Sequence, residues 1–272
     1  MFKQVKILKF FNNYNLINMK LNILTLDNSD LNIINQSNHN ILNDKIDYKN
    51  KVCEKPWGYE FLCFESKKIG IWQLRIYNNN KTSLHTHFKK DTILIVLDGK
   101  IKLNTINDYE IYETLDTIFI PKLKFHGIEP ISNYIDILEI EIFDNESTFS
   151  NKNDLFRLVD GYIRDKNYEK SIKIINKDLN RFNYFYFDVI KNKELNIKFS
   201  DTNLIFNNNF PKNFLTKNQN NYYILLKNEI LFNNKIYKEG SIFTNKEFFD
   251  IKFQNIINNN NNIFLTLGKS IS

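Results

Sequence analysis

The sequence predicts an all-β protein with two lobes, and three observations carry that reading. From Glu54 onward, short apolar runs alternate with polar turns. No long stretch keeps the three- and four-residue spacing of an amphipathic helix. Part of the strand pattern also returns after about 130 residues, the mark of a diverged internal repeat.

Residues 1–50 form an N-terminal arm. The stretch is polar and irregular, apart from an alternating patch at Leu21 to Leu26 that suits a strand added to a sheet edge. Met19 is a candidate alternative start. Residues 51–180 form the first lobe, with strands expected at Gly58 to Phe64, Ile69 to Tyr77, Thr92 to Leu97, Lys100 to Asn104, Asp108 to Tyr112, Thr117 to Pro121 and Tyr134 to Phe143. So dense a succession of strands fits a sandwich or a small barrel. The segment Leu155 to Leu179 is the best place for a helix, because Tyr168, Ile172 and Ile175 fall at helical spacing. Residues 181–272 form the second lobe. Its run from Tyr237 to Asn245, with Phe248-Phe249 beyond, echoes Tyr112 to Pro121 with Phe125-His126 beyond. The alternative is coincidence between two blocks rich in Ile and Phe.

Composition excludes several classes. The chain of 272 residues is 42% hydrophobic and 25% charged, which marks neither a disordered chain nor a helical membrane protein. Asn, Ile, Lys, Phe and Tyr are favoured, alanine is absent and glycine numbers only 7, a bias that follows A/T-rich codons. The asparagine runs are read as surface loops. The net charge of +6 is spread evenly and interleaved with Asp and Glu, so neither nucleic acid nor a membrane surface is an expected partner, while a small anionic ligand is favoured. Cys53 and Cys63 alone make no disulfide framework, and no signal-type or membrane-spanning run occurs; a cytoplasmic location is the expectation.

Chemistry concentrates in three of the four histidines, His39 of the arm being read as a surface residue. His85 and His87 stand two apart, which on a strand places both imidazoles on one face. His126, supplied by a neighbouring strand, would complete a three-nitrogen site for Zn, Mn, Ni or Fe, usually joined by a carboxylate. The second lobe contains no histidine. Lys90 and Lys124, beside the two histidine segments with Lys89 and Lys122, are expected at the barrel mouth, as either phosphate contacts or solvated loop residues. Arg157 and Arg164 are stronger anion candidates, because a guanidinium fork grips a phosphate with two parallel bonds; pairing with Asp154 and Asp160 is the alternative.

At these positions the chain resembles the cupin superfamily. Its first motif is H-x-H, a few residues, an acidic ligand, then a glycine; here it reads His85-Thr86-His87 through Gly99. Its second, P-x-G-x-x-H, reads Pro121 to His126 with Leu123 in the glycine's place. Lys55 to Glu60, Thr82-Ser83-Leu84 and Asp154 to Arg164 are similar to the cupin half of type II phosphomannose isomerase/mannose-1-phosphate guanylyltransferase, over roughly Glu54 to Arg164. The resemblance implies a jelly roll, and with the internal repeat a bicupin whose second lobe is degenerate. It implies a divalent metal on His85, His87 and His126, and a sugar phosphate or nucleotide sugar as substrate, met by Arg157, Arg164, Lys90 and Lys124. Metal-dependent sugar-phosphate isomerisation is the activity implied; the guanylyltransferase half is absent. A homodimer is the assembly raised. The acidic ligand, counted from Gly99, falls on Thr92, and Asp91 beside it is the nearest carboxylate; one residue of offset reverses the face of a side chain in a strand. A non-enzymatic sugar-binding or assembly subunit, and an iron-dependent cupin oxygenase, are the competing readings.

Overall fold

The structure, a computed structural model, describes residues 21–37, 46–143, 154–159, 173–200, 202–208, 222–232, 234–244 and 262–269. The arm contributes β1 (Leu21–Ile23) and α1 (Asn28–Gln36). The first lobe runs through β2 (Val52–Lys55), β3 (Gly58–Glu65), β4 (Ile69–Tyr77), β5 (Leu84–Thr86), β6 (Lys90–Asp98), β7 (Lys100–Asn104), β8 (Tyr109–Glu113), β9 (Thr117–Ile120), β10 (Gly127–Pro130) and β11 (Tyr134–Phe143). It closes with β12 (Phe156–Val159) and β13 (Lys173–Ile175). The second block holds β14 (Glu194–Phe199), β15 (Thr202–Asn208), β16 (Tyr222–Lys227), β17 (Ile230–Phe232), β18 (Lys235–Tyr237), β19 (Ile242–Thr244) and β20 (Ile263–Lys269).

The first lobe is a β jelly roll. One sheet has the order β1-β9-β6-β11-β4-β3-β2-β13, and it faces the smaller sheets β10-β7-β8 and β12-β5. β11 is the centre of the large sheet, paired antiparallel with β4 on one side and β6 on the other. Alternation sorts its side chains. Trp72, Leu74 and Ile76 of β4, Leu94 and Val96 of β6, and Ile135 and Ile137 of β11 point into the barrel, where they meet Ile101, Leu103, Tyr112 and Ile128 of the facing sheet. Trp57 packs in the same core, and Tyr77 N donates to its carbonyl at 3.0 Å, so Pro56-Trp57-Gly58 acts as a plug. Gly58 and Gly99 are structurally required there. At Gly58 (φ 150) an added Cβ would stand 2.0 Å from Arg75 O, and at Gly99 (φ 89) 2.7 Å from Tyr134 O.

The opposite face of the large sheet is equally apolar, because a second sheet covers it. Ile71, Ile93, Ile95, Leu138 and Ile140 pack with Leu204, Phe206, Ile224, Leu265 and Leu267, with Phe182, Phe185 and Phe187 of the connecting segment between them. The second sheet has the order β14-β15-β20-β16-β19, matching β3-β4-β11-β6-β9, and the hairpin β17-β18 stands where β7-β8 stands in the first lobe. One turn repeats bond for bond. Val96 N donates to Asp116 O and Leu115 N to Val96 O; Leu225 N donates to Ser241 O and Gly240 N to Leu225 O. The runs beginning at Tyr112 and Tyr237 thus occupy equivalent places.

Two readings of the sequence differ from the described residues. The helix expected at Leu155 to Leu179 is absent from its described residues: β12 pairs with β5, β13 pairs with β2, and only a 3-10 turn at Leu179–Phe182 is helical. The apolar positions there serve sheet edges, and Tyr168 and Ile172 lie outside the described residues. Conversely, the arm holds an unforeseen helix, α1, nucleated by Asp27, whose carboxylate accepts from Ser29 N and Asp30 N while Asp30 returns a bond to Asp27 N. Leu31, Ile33 and Ile34 are its apolar residues, too short a pattern among polar neighbours to mark a helical period in the sequence. The patch at Leu21 does add to a sheet edge, as a strand parallel to β9.

Phe206 is fully buried between the sheets and stacks on Phe187 with ring centroids 5.3 Å apart. Phe206→Ala is expected to cost about 3–5 kcal/mol of unfolding free energy, read as a lower midpoint in urea denaturation.

Candidate metal centre

His85, His87 and His126 meet inside the first-lobe barrel. The backbones of His85 and His126 exchange two hydrogen bonds, His85 N to His126 O at 3.0 Å and His126 N to His85 O at 2.8 Å, which sets the two side chains beside each other on one face. His87, two residues on, shares that face, and its carbonyl accepts from Leu123 N at 2.7 Å. The ring centroids lie 4.5 to 5.5 Å apart, and one nitrogen from each ring falls within 4.8 Å of the others.

Each ring is oriented by a backbone carbonyl. Nδ1 of His85 is 2.7 Å from Ser83 O, Nδ1 of His126 is 3.1 Å from Lys124 O, and Nδ1 of His87 bonds Asp154 O. A carbonyl can only accept, so each Nδ1 carries the proton and each Nε2 keeps a lone pair. Burial pushes all three pKa values below 6.5, that of His126 to about 4, and the Lys90 ammonium adds to the same direction. The rings are neutral at pH 7, the state that binds a metal. His87 Nε2 is buried and has no hydrogen-bond partner, and neither has the inward-facing Thr92 hydroxyl of β6. Such orphaned atoms cost free energy unless something occupies the space they face. The donor set therefore fits a divalent cation.

The supports come from distant parts of the chain. Asp154 is wholly buried; besides its carbonyl, its carboxylate accepts from Phe88 N and Lys89 N and fixes the link from β5 to β6. Asp30 of α1, equally buried, accepts from Phe125 N with one oxygen and from Lys124 Nζ with the other, clamping the segment that carries His126. Leu123, in the position of the motif glycine, adopts φ 72, a left-handed conformation that costs a leucine roughly 1–2 kcal/mol.

Three of the expected contacts are corrected. Asp91 lies on the face of β6 shared with Ile93 and Ile95, away from the histidines, and accepts from Lys122 N at 2.8 Å; the pleat forbids it the role of ligand, and Thr92 occupies the inward position. Lys124 is not at the mouth, because its ammonium is bound at 2.8 Å by both Asp27 and Asp30. Lys90 is not at the mouth either: it is buried in the barrel and ion-paired with Glu141. Arg157 sits opposite His85 in the β5-β12 pair, and Arg164 lies outside the described residues. Reading by motif missed Glu139 and Glu141, buried on the inward face of β11 with Ile135 and Ile137. The signal was available in the alternation Glu139-Ile140-Glu141-Ile142, which sends both carboxylates to the side opposite the isoleucines.

No family model and no curated protein matches the chain. Among solved structures, a cupin superfamily protein from Desulfitobacterium hafniense is 18% identical, covering 31% of this chain and 76% of its own, with a TM-score of 0.29. A candidate sugar phosphate isomerase from Acidithiobacillus ferrooxidans is 22% identical over 32% of this chain and 61% of its own, at 0.28. KdgF from Halomonas sp. is 13% identical over 39% and 94%, at 0.32. The assignment of fold rests on the strand order described above. No helix among the described residues is long and apolar enough to cross a membrane.

Because the folded state holds the imidazoles neutral, the unfolded chain binds more protons below pH 6.5. Stability of the metal-free protein is thus expected to be full above about pH 7 and to fall from pH 6.5 toward 4, by up to ~1.4 kcal/mol per pH unit for each histidine. Urea titrations across that range check this, and His126→Gln should flatten the slope.

Proposed function

We propose that the first lobe is a metal-dependent, cupin-type isomerase acting on a sugar phosphate or nucleotide sugar. One observation carries the reading: three imidazoles, each with its Nδ1 bound to a backbone carbonyl, bring one nitrogen apiece within 4.8 Å of one another. A bound divalent ion would polarise a carbonyl and its neighbouring hydroxyl for proton transfer between adjacent carbons. The chain's own contribution is to hold those nitrogens, to exclude water, and to present Arg157 beside His85 as the anchor for an anionic group. The second lobe brings no histidine and serves as the packing partner that covers the outer face of the large sheet.

A specific observation favours a second reading. With Asp91 facing away, the three histidines stand without a carboxylate from β6, a nitrogen-only set suited to an iron-dependent oxygenase. Iron content together with oxygen uptake separates that reading from isomerisation, and a protein that takes up neither metal nor oxygen would be a sugar-binding subunit.

Protein purified without chelator, or loaded with Zn, Mn, Ni or Fe, is expected to hold about one ion per chain. His87→Ala should abolish binding with a melting temperature near that of the metal-free parent, because the apolar strands hold the fold. Isomerase assays on mannose 6-phosphate and related sugars then test the reaction. Wild-type protein that cannot be loaded with any of these ions would remove the basis of this assignment.

A further inference from the structure

The inward face of the first-lobe barrel contains an ion pair with almost no exposure. The Lys90 and Glu141 side chains are 2% and 0% exposed, and the second oxygen of Glu141 accepts from Trp72 Nε1 at 3.0 Å. An ion pair so enclosed is a poor source of stability, since desolvation consumes most of the attraction, and an apolar pair of like volume would serve the core as well or better. Lys90 opens β6 three residues after His87, inside the same barrel, and it holds the Glu141 carboxylate outside the group of ligand atoms that the three rings bring within 4.8 Å of one another.

Strand register sets Glu141 beside Thr92. Thr92 stands where the acidic ligand would be expected on β6, and Glu141 is its direct partner on β11, with both side chains on the inward face. Across the other edge of β11, Glu141 pairs with Gly70, which has no side chain. The carboxylate is thus flanked by a threonine and a glycine. The charges point the same way. The three rings are neutral, so a divalent ion held by them would bring its charge near the buried Lys90 ammonium and would draw the Glu141 carboxylate away from it.

We propose that Glu141 is the carboxylate of the metal centre, supplied by β11 in place of β6, with Lys90 holding it until a divalent cation competes for it. The inference rests on the metal-centre reading above, and it makes Lys90 a competitor of the metal, a role that an ordinary structural ion pair lacks.

The two partners should therefore shift metal affinity in opposite directions. Zn2+ affinity of the full chain would be measured by competition with a chromophoric chelator, and the visible spectrum of the Co2+ form recorded for each variant. Glu141→Gln is expected to weaken Zn2+ binding by about 10–100-fold and to alter the Co2+ spectrum, while Lys90→Met tightens binding by about tenfold. Glu139→Gln, one inward position further along β11, should leave both within about threefold of wild type. Should Glu141→Gln fail to fold, the sign of the Lys90→Met effect decides alone: tighter binding supports the proposal, and unchanged or weaker binding overturns it. Wild-type affinity in a folded Glu141→Gln variant also overturns it. Wild type that binds ions which His87→Ala cannot, with Glu141→Gln indistinguishable from wild type, would leave the histidine centre standing and refute only the role of Glu141. Wild type that binds no ion would refute both.

Discussion

The pleat of β6 and β11 governs what the barrel can contain. Because side chains alternate strictly between faces, each residue of these strands belongs either to the barrel interior or to the layer between the two sheets, and one residue of slip would exchange the sets. Ile93 and Ile95 go outward to the second sheet while Leu94 and Val96 go inward. The same rule, extended toward the start of β6, sends Asp91 outward and Lys90 and Thr92 inward. On β11 it sends Ile140 outward and Glu139 and Glu141 inward. The chemistry of the interior follows from register before any side-chain contact is considered.

Both faces of the large sheet are buried, and that doubles the demand on the same strands. A sheet with one wet face could shift its register at modest cost, whereas here a shift would carry charged groups into an aromatic layer built from Phe64, Phe187 and Phe206. The second lobe therefore contributes to the centre from the outer face of the large sheet, by fixing which side of β6 and β11 faces the histidines. The three imidazoles are held by another means, the carbonyls of Ser83, Lys124 and Asp154, and the last two are themselves positioned by Asp30 and by the Asp154 carboxylate. Rigid strands set the chemistry, and polar clamps from the arm and from the segment before β12 set its geometry.

Much of this was legible in the sequence because β-structure writes itself as alternation. The strands at Ile69 to Tyr77 and Tyr134 to Phe143 were located to the residue, and the pair His85 and His87 announced a shared face by spacing alone. Legibility failed where the partner of a residue lay far along the chain. Lys90 and Lys124 read as mouth lysines because their carboxylates, Glu141 and Asp30, are 51 and 94 positions away. Helix α1 was hidden because Leu31, Ile33 and Ile34 make too short an apolar pattern, and Ile175, read as helical by its spacing, pairs with Val52 at a sheet edge. The inward carboxylates of β11 were overlooked because the expected acid was sought on β6.

Leu123 shows how a drifting base composition acts on a fold. Glycine codons are rich in G and C, and a coding sequence pulled toward A and T tends to lose them wherever a larger residue can be borne. At position 123 a larger residue is borne: Leu123 adopts the left-handed backbone, and its N–H donates to His87 O. At positions 58 and 99 it could not be, since a β-carbon would collide with a carbonyl of the neighbouring strand. The few glycines that remain in such a chain act as a mutational sieve, separating the turns in which geometry is merely preferred from those in which it is compulsory.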